Sequence, residues 1–199
     1  MTHRIVLASG SEIRRQLLAN AGVPFDTDPV RVDEDTVRRS MLAEGATPRE
    51  IADALAEAKA RRGSARNPGA LVIGCDQVLD FDGQVMAKPD SPAQVRDQLA
   101  ALNGKRHHLV SAAVIYLDGE PQWRQIGTVR MEMRSVSDAY LDDYVARNWD
   151  SIRHSVGGYK LEEEGARLFQ RITGDYFHVL GLPLLEILGY LTTRRALPG

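Results

Sequence analysis

Residues 4–22 read RIVLASGSEIRRQLLANAG, and this stretch decides the kind of fold that the chain adopts. The apolar run from Ile5 to Ala8 predicts a short buried strand over Arg4 to Ser9. Ser11 can cap the helix that follows, and Gly22 ends it. The apolar residues of that helix recur at helical spacing: Ile13, Leu17, Leu18 and Ala21. A strand, a tight loop and a helix in this order are typical of an α/β fold.

The loop between this strand and helix has the composition of a phosphate site. Small residues surround Gly10, so backbone N–H groups and the positive end of the helix dipole can face an anion. Arg14 and Arg15 follow in the first helical turn and can add charged hydrogen bonds to phosphate oxygens. The alternative is that Ser11 is only a helix cap while the arginines form a solvated face. Spacing alone leaves both interpretations open.

A second chemically informative segment begins with the continuously apolar run Ala70 to Gly74, which predicts a central strand buried on both faces. The strand leads directly into Cys75-Asp76-Gln77, and Asp82-Gly83 then predicts a tight hairpin turn. The returning chain should run from Val85 to Lys88. A two-residue turn would place Gln77 opposite Lys88, whereas a one-residue bulge would place Asp76 there.

The remaining elements follow from capping residues and hydrophobic periodicity. Helices are predicted from the capping box at Thr47 to about Arg62, from Ser91 to Leu102, and from Asp138 to about Asn148 behind the cap Ser137. Strands are predicted at Phe25–Val30, His108–Leu117, Trp123–Arg134 and Arg167–Ile172. Pro183 opens a last helix with the apolar stripe Leu184, Leu185, Leu188 and Leu191. The antiparallel pair at 108–134 makes the predicted sheet mixed.

The overall composition predicts one ordinary globular domain, residues 1–199, with two lobes. Hydrophobic residues make up 43% and charged residues 26% of the 199 residues. The formal net charge of -2 gives no general attraction to nucleic acid. Cys75 is the only cysteine, which excludes an intrachain disulfide and favours the cytoplasm. No apolar run is long enough for a membrane span or a secretory signal, so we expect no membrane partner.

Two groups of carboxylates are candidates for chemistry. Val32-Asp33-Glu34-Asp35 has three acids in a row, a pattern that is usually a solvated loop. Asp76 is more informative, because an acid directly after a buried strand is costly unless it is paired. Lys88 or a metal ion would serve as its partner. The alternative is an ion pair between Asp76 and Lys88 with no catalytic task.

The chain resembles the Maf family in a series of motifs that occur in the family's order. The first is Leu7 to Leu18, which resembles the Leu-Ala-Ser-x-Ser-Pro signature followed by arginines. The others are Val32-Asp33-Glu34, Gly74-Cys75-Asp76, Lys88-Pro89, Asn103-Gly104, Gly157 to Glu162, Gly174-Asp175-Tyr176, and Val179 to Leu184. The resemblance therefore covers nearly the whole chain.

The resemblance implies a fold like that of inosine triphosphate pyrophosphatases: an elongated mixed β-sheet between two α/β lobes with a central nucleotide cleft. It implies a nucleoside triphosphate pyrophosphatase, a hydrolase that releases the monophosphate and pyrophosphate with Mg²⁺ or another divalent cation such as Mn²⁺. Homodimers are common in the family. The implied catalytic residues are Asp76, Glu34 and Lys88, with Glu34 and Asp76 as metal ligands and Asp76 as the favoured base. The implied substrate and phosphate contacts are Ser9, Ser11, Arg14, Arg15, Gln77 and Glu162.

Several departures from the family pattern concern the substrate. Asp76-Gln77 and Lys160 resemble the branch that acts on 7-methyl-GTP rather than the branch that acts on thymidine and uridine triphosphates. Glu12-Ile13-Arg14 replaces the usual Pro-Arg-Arg and lacks an aromatic residue often seen in the methylguanosine branch. An inosine-type pyrophosphatase stays open. So does a nucleotide-binding regulator of septum formation and cell division that does not hydrolyse its ligand.

Overall fold

The computed structural model describes residues 3–198, and these form an α/β structure. The strands are β1 (Arg4–Leu7), β2 (Asp26–Thr27), β3 (Ala70–Phe81), β4 (Gln84–Met86), β5 (Arg106–Leu117), β6 (Glu120–Met133) and β7 (Phe169–Thr173). The helices are α1 (Glu12–Asn20), α2 (Glu34–Ala43), α3 (Pro48–Arg66), α4 (Pro92–Leu102), α5 (Asp138–Ile152), α6 (Tyr176–Val179) and α7 (Leu184–Thr193). Two short 3₁₀ turns lie at Val156–Gly158 and Glu164–Leu168.

The seven strands form one mixed sheet, as the sequence predicts. The strand order is β2-β1-β3-β5-β6-β7, and β4 pairs with β3 beside this path. The pairs β1–β2 and β1–β3 are parallel, whereas β3–β4 and β6–β7 are antiparallel. Parallel pairing of β1 with β3 places Leu7 opposite Ile73. The loop that follows Leu7 therefore starts beside the part of β3 that follows Ile73, which includes Asp76.

The chain divides into two compact units. The first consists of residues up to 77, 110–127 and from 176 onward. Its core joins apolar residues of β1, α1, β3 and α7, including Ile5, Leu18, Leu71, Ile73 and Ile187. The stripe predicted for α7 is partly wrong: Ile187 is buried, while Leu185 is 57% exposed. Leu184 and Leu191 are buried as predicted.

The second unit consists of residues 78–109 and 128–175. Its helices α4 and α5 pack against each other and bury Val95, Leu99, Leu141 and Tyr144. Both begin with the predicted serine caps, whose hydroxyls accept backbone N–H groups at 3.2 Å. Polar caps of this kind satisfy N–H groups that the helix itself leaves without partners.

The acidic run at residues 33–35 is a helix start rather than the predicted loop. The Asp33 carboxylate accepts the Thr36 N–H at 3.0 Å and caps α2, which begins at Glu34. None of the residues of α2 is fully buried. The strand predicted at Phe25–Val30 is shortened to Asp26–Thr27. Periodicity missed α2 because its apolar residues are few and partly exposed.

The predicted hairpin forms with a two-residue turn. Asp82 and Gly83 have φ values of 53° and 81°, the pair of positive values that a type I′ turn requires. The β3–β4 ladder ends at the pair Leu79–Met86. Lys88 therefore lies beyond the ladder, contrary to the prediction that the ladder itself would hold it opposite an acid or an amide.

No helix in residues 3–198 is long and apolar enough to cross a membrane.

Candidate active site

The loop after β1 holds Ser9 and Arg14 together, as the strand–loop–helix pattern predicts. Ser9 is buried, and its Oγ accepts the Ser11 N–H at 3.3 Å and an Arg14 Nη1–H at 3.4 Å. The Ser11 side chain makes no capping hydrogen bond, although Ser11 occupies the N-cap position of α1. The prediction that its hydroxyl caps the helix is therefore wrong, and the turn is closed through the Ser9 hydroxyl instead.

Arg14 is a buried cation, and the atoms that accept its hydrogen bonds are two carbonyl oxygens and a hydroxyl oxygen, none of them charged. Its Nε donates to the Gly181 carbonyl at 2.7 Å, and its Nη1 donates to the Cys75 carbonyl at 3.0 Å. Only 9% of the residue is exposed. These carbonyls orient the guanidinium but carry no formal negative charge that would neutralise it. A buried guanidinium whose charge is not neutralised would be stabilised by an anion bound next to it.

Arg15 is directed differently from its neighbour. Its guanidinium makes an ion pair with Glu12 on the surface of α1, and both side chains are at least half exposed. The hydrogen bond from Arg15 lowers the pKa of the Glu12 carboxyl and raises the pKa of the Arg15 guanidinium. In the structure Arg15 therefore has an acidic partner of its own and is less suited than Arg14 to hold a phosphate.

The two acids predicted to act together, Glu34 and Asp76, are joined by Lys59. The Lys59 Nζ lies 2.6 Å from Glu34 Oε1 and 2.7 Å from Asp76 Oδ1. The side chains of Lys59 and Asp76 are 10% and 8% exposed, and that of Glu34 is 27% exposed. The cation that the sequence requires beside Asp76 is therefore Lys59 of α3, which the sequence analysis did not identify.

Close packing of α3 on β3 lets Lys59 reach Asp76. The capping box at Thr47 and Glu50 fixes the start of α3, as predicted. Where the helix crosses β3, a Cβ atom on Gly74 would lie 2.3 Å from the Ala56 carbonyl oxygen and from the Ala60 nitrogen. Only glycine allows the two backbones to approach this closely. The Lys59 side chain leaves the helix between these two contacts.

One sequence signal could have identified Lys59. Ile51 and Leu55 lie on the buried face of α3, and the next position at the same helical spacing is Lys59. A lysine at the place of an apolar residue is costly to bury unless an acid meets it. The pattern indicates an internal ion pair, but it does not say which acids complete it.

Gln77, the residue after Asp76, has its amide nitrogen fully engaged. The Nε2 atom lies 2.9 Å from Ser111 Oγ and 3.0 Å from the carbonyl oxygens of His178 and Val179. These acceptors leave Oε1 as the atom of the amide that can contact a ligand, and Oε1 is an acceptor. The resemblance implies a substrate contact at Gln77, but the orientation of the amide depends on residues far away in the chain.

Lys88 and Glu162, the two other predicted site residues, belong to the second unit. Glu162 lies in an exposed turn. Its neighbour Lys160 donates to Ser151 Oγ at 2.8 Å and pairs with Glu163 at 3.0 Å. The structure thus places Ser9, Arg14, Glu34, Asp76 and Gln77 in the first unit. Within it, Arg14 contacts Ser9, and Lys59 joins Glu34 to Asp76.

The carboxylates of the site suit a magnesium ion whose other ligands are water and phosphate oxygens. Within residues 3–198, no group of three or more His, Cys, Asp or Glu side chains could hold a metal. Glu34 and Asp76 supply two carboxylates, and Mg²⁺ is commonly held in proteins by one or two carboxylates with substrate phosphates and water. The residues present therefore suit a metal that is shared with a phosphate ligand.

The family of this chain follows from comparison with known proteins. Residues 4–194 match the family model described as Maf-like protein. The chain is 62% identical over 194 residues to a nucleoside triphosphate pyrophosphatase of Ruegeria pomeroyi, with 98% of each chain covered. It is 61% identical to one of Roseobacter denitrificans and 42% identical to a 7-methyl-GTP pyrophosphatase of Brucella abortus, in both cases over 100% of each chain.

A solved structure of a nucleoside-triphosphatase, or dITP/XTP pyrophosphatase, from Mycobacterium abscessus matches with a TM-score of 0.43 and 18% identity. That match covers 67% of this chain and 75% of the other. The family model, by contrast, spans nearly the whole described chain and includes every candidate site residue. This protein belongs to the Maf family.

Proposed function

We propose that the chain is a nucleoside triphosphate pyrophosphatase that cleaves between the α and β phosphates and releases a nucleoside monophosphate and pyrophosphate. The observation that carries the proposal is the buried arrangement of Glu34, Lys59 and Asp76, together with the buried Arg14 that donates to the carbonyl of Cys75, the residue before Asp76. Relatives at about 60% identity over almost their full length bear this activity in their names. Those names favour hydrolysis over the alternative of a regulator that only binds a nucleotide.

The cationic side chains would bind and orient the triphosphate. Arg14 is pre-oriented by the carbonyls of Gly181 and Cys75, so little conformational entropy is lost when its remaining N–H groups meet phosphate oxygens. N–H groups at the start of α1 and the Ser9 hydroxyl would add further donors. Lys88 would supply a second charge to the β and γ phosphates.

The acids would prepare the attack. Glu34 and Asp76 would hold Mg²⁺ or Mn²⁺, which when bound supplies charge neutralisation on the phosphate oxygens. Asp76 would orient a water molecule and accept its proton as the water oxygen forms a bond to the α phosphorus. The bond from that phosphorus to the bridging oxygen breaks, and the electron pair leaves with pyrophosphate. Lys59 keeps both carboxylates at fixed positions before the substrate arrives.

The substrate that we propose is a modified nucleotide, 7-methyl-GTP. Gln77 presents an acceptor oxygen, which suits the N–H donors at the edge of a guanine. Relatives named 7-methyl-GTP pyrophosphatase align over the full chain at 42% identity. We also propose that the protein acts as a homodimer in the cytoplasm, where a single buried cysteine stays reduced.

Pyrophosphate release tests the proposal. The purified protein with Mg²⁺ is assayed against 7-methyl-guanosine, uridine, thymidine and inosine triphosphates and the ordinary nucleotides. We expect release that is fastest with 7-methyl-GTP and that falls by roughly 10²–10⁴-fold in Asp76→Asn. Asp80→Asn is the matched control, because Asp80 lies on the same strand and its carboxylate accepts the Gly83 N–H of the hairpin turn. Release from no substrate, with binding intact, would favour the regulator instead.

A further inference from the structure

The position of the Lys59 ammonium raises a question about the order in which ligands bind. Its nitrogen lies 2.6 Å from an oxygen of Glu34 and 2.7 Å from an oxygen of Asp76, so a single ammonium bridges the two acids that the proposed function assigns to the metal. We propose that Lys59 stands in for the divalent cation in the empty enzyme, so that the metal binds only together with a triphosphate. This inference rests on the proposed function, because it concerns the metal used by that reaction.

The geometry supports substitution of one cation for the other. An ammonium has three donors, and two of them are used on the two carboxylate oxygens. These oxygens converge on a single point, which the nitrogen occupies. Lys59 is 92% buried, and the helix carrying it is held against β3 by the close contact at Gly74. A metal that bound both oxygens at about 2.1 Å would have to displace the ammonium from this point.

The charges point the same way. Glu34 and Asp76 carry two negative charges, and Lys59 returns one positive charge. A divalent cation alone would give this half-buried group a net positive charge, which costs energy in a medium less polar than water. A triphosphate carries several negative charges, which would offset the positive charge added by the metal. The ammonium that leaves the carboxylates can then bond to phosphate oxygens.

The supply of ligands adds an independent argument. Among residues 3–198 no third acid, histidine or cysteine completes a metal-binding group with Glu34 and Asp76. Mg²⁺ prefers six oxygen ligands in near-octahedral geometry, and two carboxylates leave most of these positions to water or phosphate. Phosphate oxygens of the nucleotide would therefore supply the remaining metal ligands and raise the affinity of the site for Mg²⁺.

Metal binding without nucleotide tests the proposal directly. Mn²⁺ binding is measured by electron paramagnetic resonance, and the melting temperature is measured with and without MgCl₂, for the wild type, Lys59→Met and Lys105→Met. Lys105→Met removes the same charge from an exposed lysine whose ammonium lies over the Phe81 ring. We expect Lys59→Met to bind Mn²⁺ at least about tenfold more tightly than the wild type and to gain melting temperature with MgCl₂, and Lys105→Met to behave as the wild type. Equal Mn²⁺ affinity in the wild type and Lys59→Met would overturn the proposal.

A second measurement keeps the proposal testable if Lys59→Met does not fold. Wild-type protein is titrated with Mn²⁺ in the absence and presence of a non-hydrolysable α,β-methylene triphosphate. We expect Mn²⁺ affinity to rise at least about tenfold with the analogue. Tight binding of Mn²⁺ alone, unchanged by the analogue, would contradict the role of Lys59.

The two proposals can fail separately. An active wild-type enzyme that binds Mn²⁺ equally well with and without the analogue would sink only the inference about Lys59. A wild type that hydrolyses no triphosphate, together with a Lys59→Met variant that gains Mn²⁺ affinity, would sink only the pyrophosphatase proposal.

Discussion

Lys59 and Asp76 form a buried ion pair in which the Nζ and Oδ1 atoms lie 2.7 Å apart. The lysine comes from the fourth turn of α3, and the aspartate follows the apolar half of β3. The same ammonium contacts Glu34 at the start of α2. The Lys59 side chain thus holds two acids that lie on different elements. We expect its replacement to lower both stability and activity.

Removal of the ammonium should destabilise the protein. In Lys59→Met the two carboxylates keep their positions without a cation between them, and Asp76 is 5% exposed. We expect the free energy of unfolding to fall by roughly 3–5 kcal/mol, the usual cost of breaking one side of a buried pair. Urea unfolding at pH 7 without divalent cations measures it. A loss below about 1 kcal/mol would mean that water replaces the ammonium at little cost.

The close contact of α3 with β3 should not tolerate a side chain at Gly74. In Gly74→Ala the new Cβ would meet the Ala56 and Ala60 backbone, so the helix must move away. We expect a loss of about 1–3 kcal/mol and slower pyrophosphate release by the folded fraction, because Lys59 moves with the helix. Gly189→Ala in α7 is the control, since no atom lies within 4 Å of its added Cβ. That change should be neutral or slightly stabilising, and equal losses in both variants would contradict the argument.

Arg14 and Arg15 are adjacent but should respond differently to replacement by lysine. Arg14→Lys loses the planar fork that donates to the carbonyls of Gly181 and Cys75. We expect a destabilisation of about 1–3 kcal/mol and at least a tenfold lower kcat/KM. Arg15→Lys only weakens an exposed pair with Glu12 and should leave stability unchanged within the error of the measurement. Steady-state kinetics and urea unfolding of both variants give the comparison, and a larger kinetic defect in Arg15→Lys would reverse the assignment.

Buried His107 should make the protein less stable in mild acid. Burial lowers the pKa of its imidazole to about 4, with a smaller contribution from His108, and its Nε2 lies 2.6 Å from the Tyr159 hydroxyl oxygen. The unfolded chain binds the proton near pH 6.5, so stability is complete above that pH and falls by about 3 kcal/mol as the pH drops to 4.

A non-titrating variant isolates this effect. His107→Gln should be less stable than the wild type at pH 7, and the difference in the free energy of unfolding should shrink between pH 6.5 and pH 4.5. Chemical unfolding across this range measures both proteins. A difference that stays constant with pH would show that His107 does not titrate as described.

The Cys75 thiol should be chemically inert in the native protein. The residue is fully buried, and burial raises the pKa of its thiol to about 11, so the reactive thiolate is scarce at pH 8. We expect no reaction with a disulfide reagent in native buffer and one thiol per chain in guanidinium chloride. Rapid native labelling would indicate that β3 opens locally near Asp76.

Local patterns in the sequence predicted most elements of the fold. The capping residues at Thr47, Ser91 and Ser137 mark helices that begin where expected. The turn residues Asp82 and Gly83 give the expected hairpin. Errors fell on elements with weak local signals, such as α2 and the short β2. Helix and turn formation depend on neighbouring residues, and for that reason the sequence alone is informative about them.

The order of most strands and helices, the mixed sheet and the residue types near Ser9, Glu34 and Asp76 all follow from the sequence. Which partners these residues have depends on the tertiary structure. Arg14 meets the carbonyl of a residue 167 positions away, and Lys59 meets Asp76 because α3 lies against β3 at Gly74. Such contacts depend on the distance between packed backbones, and no local pattern of side chains sets that distance.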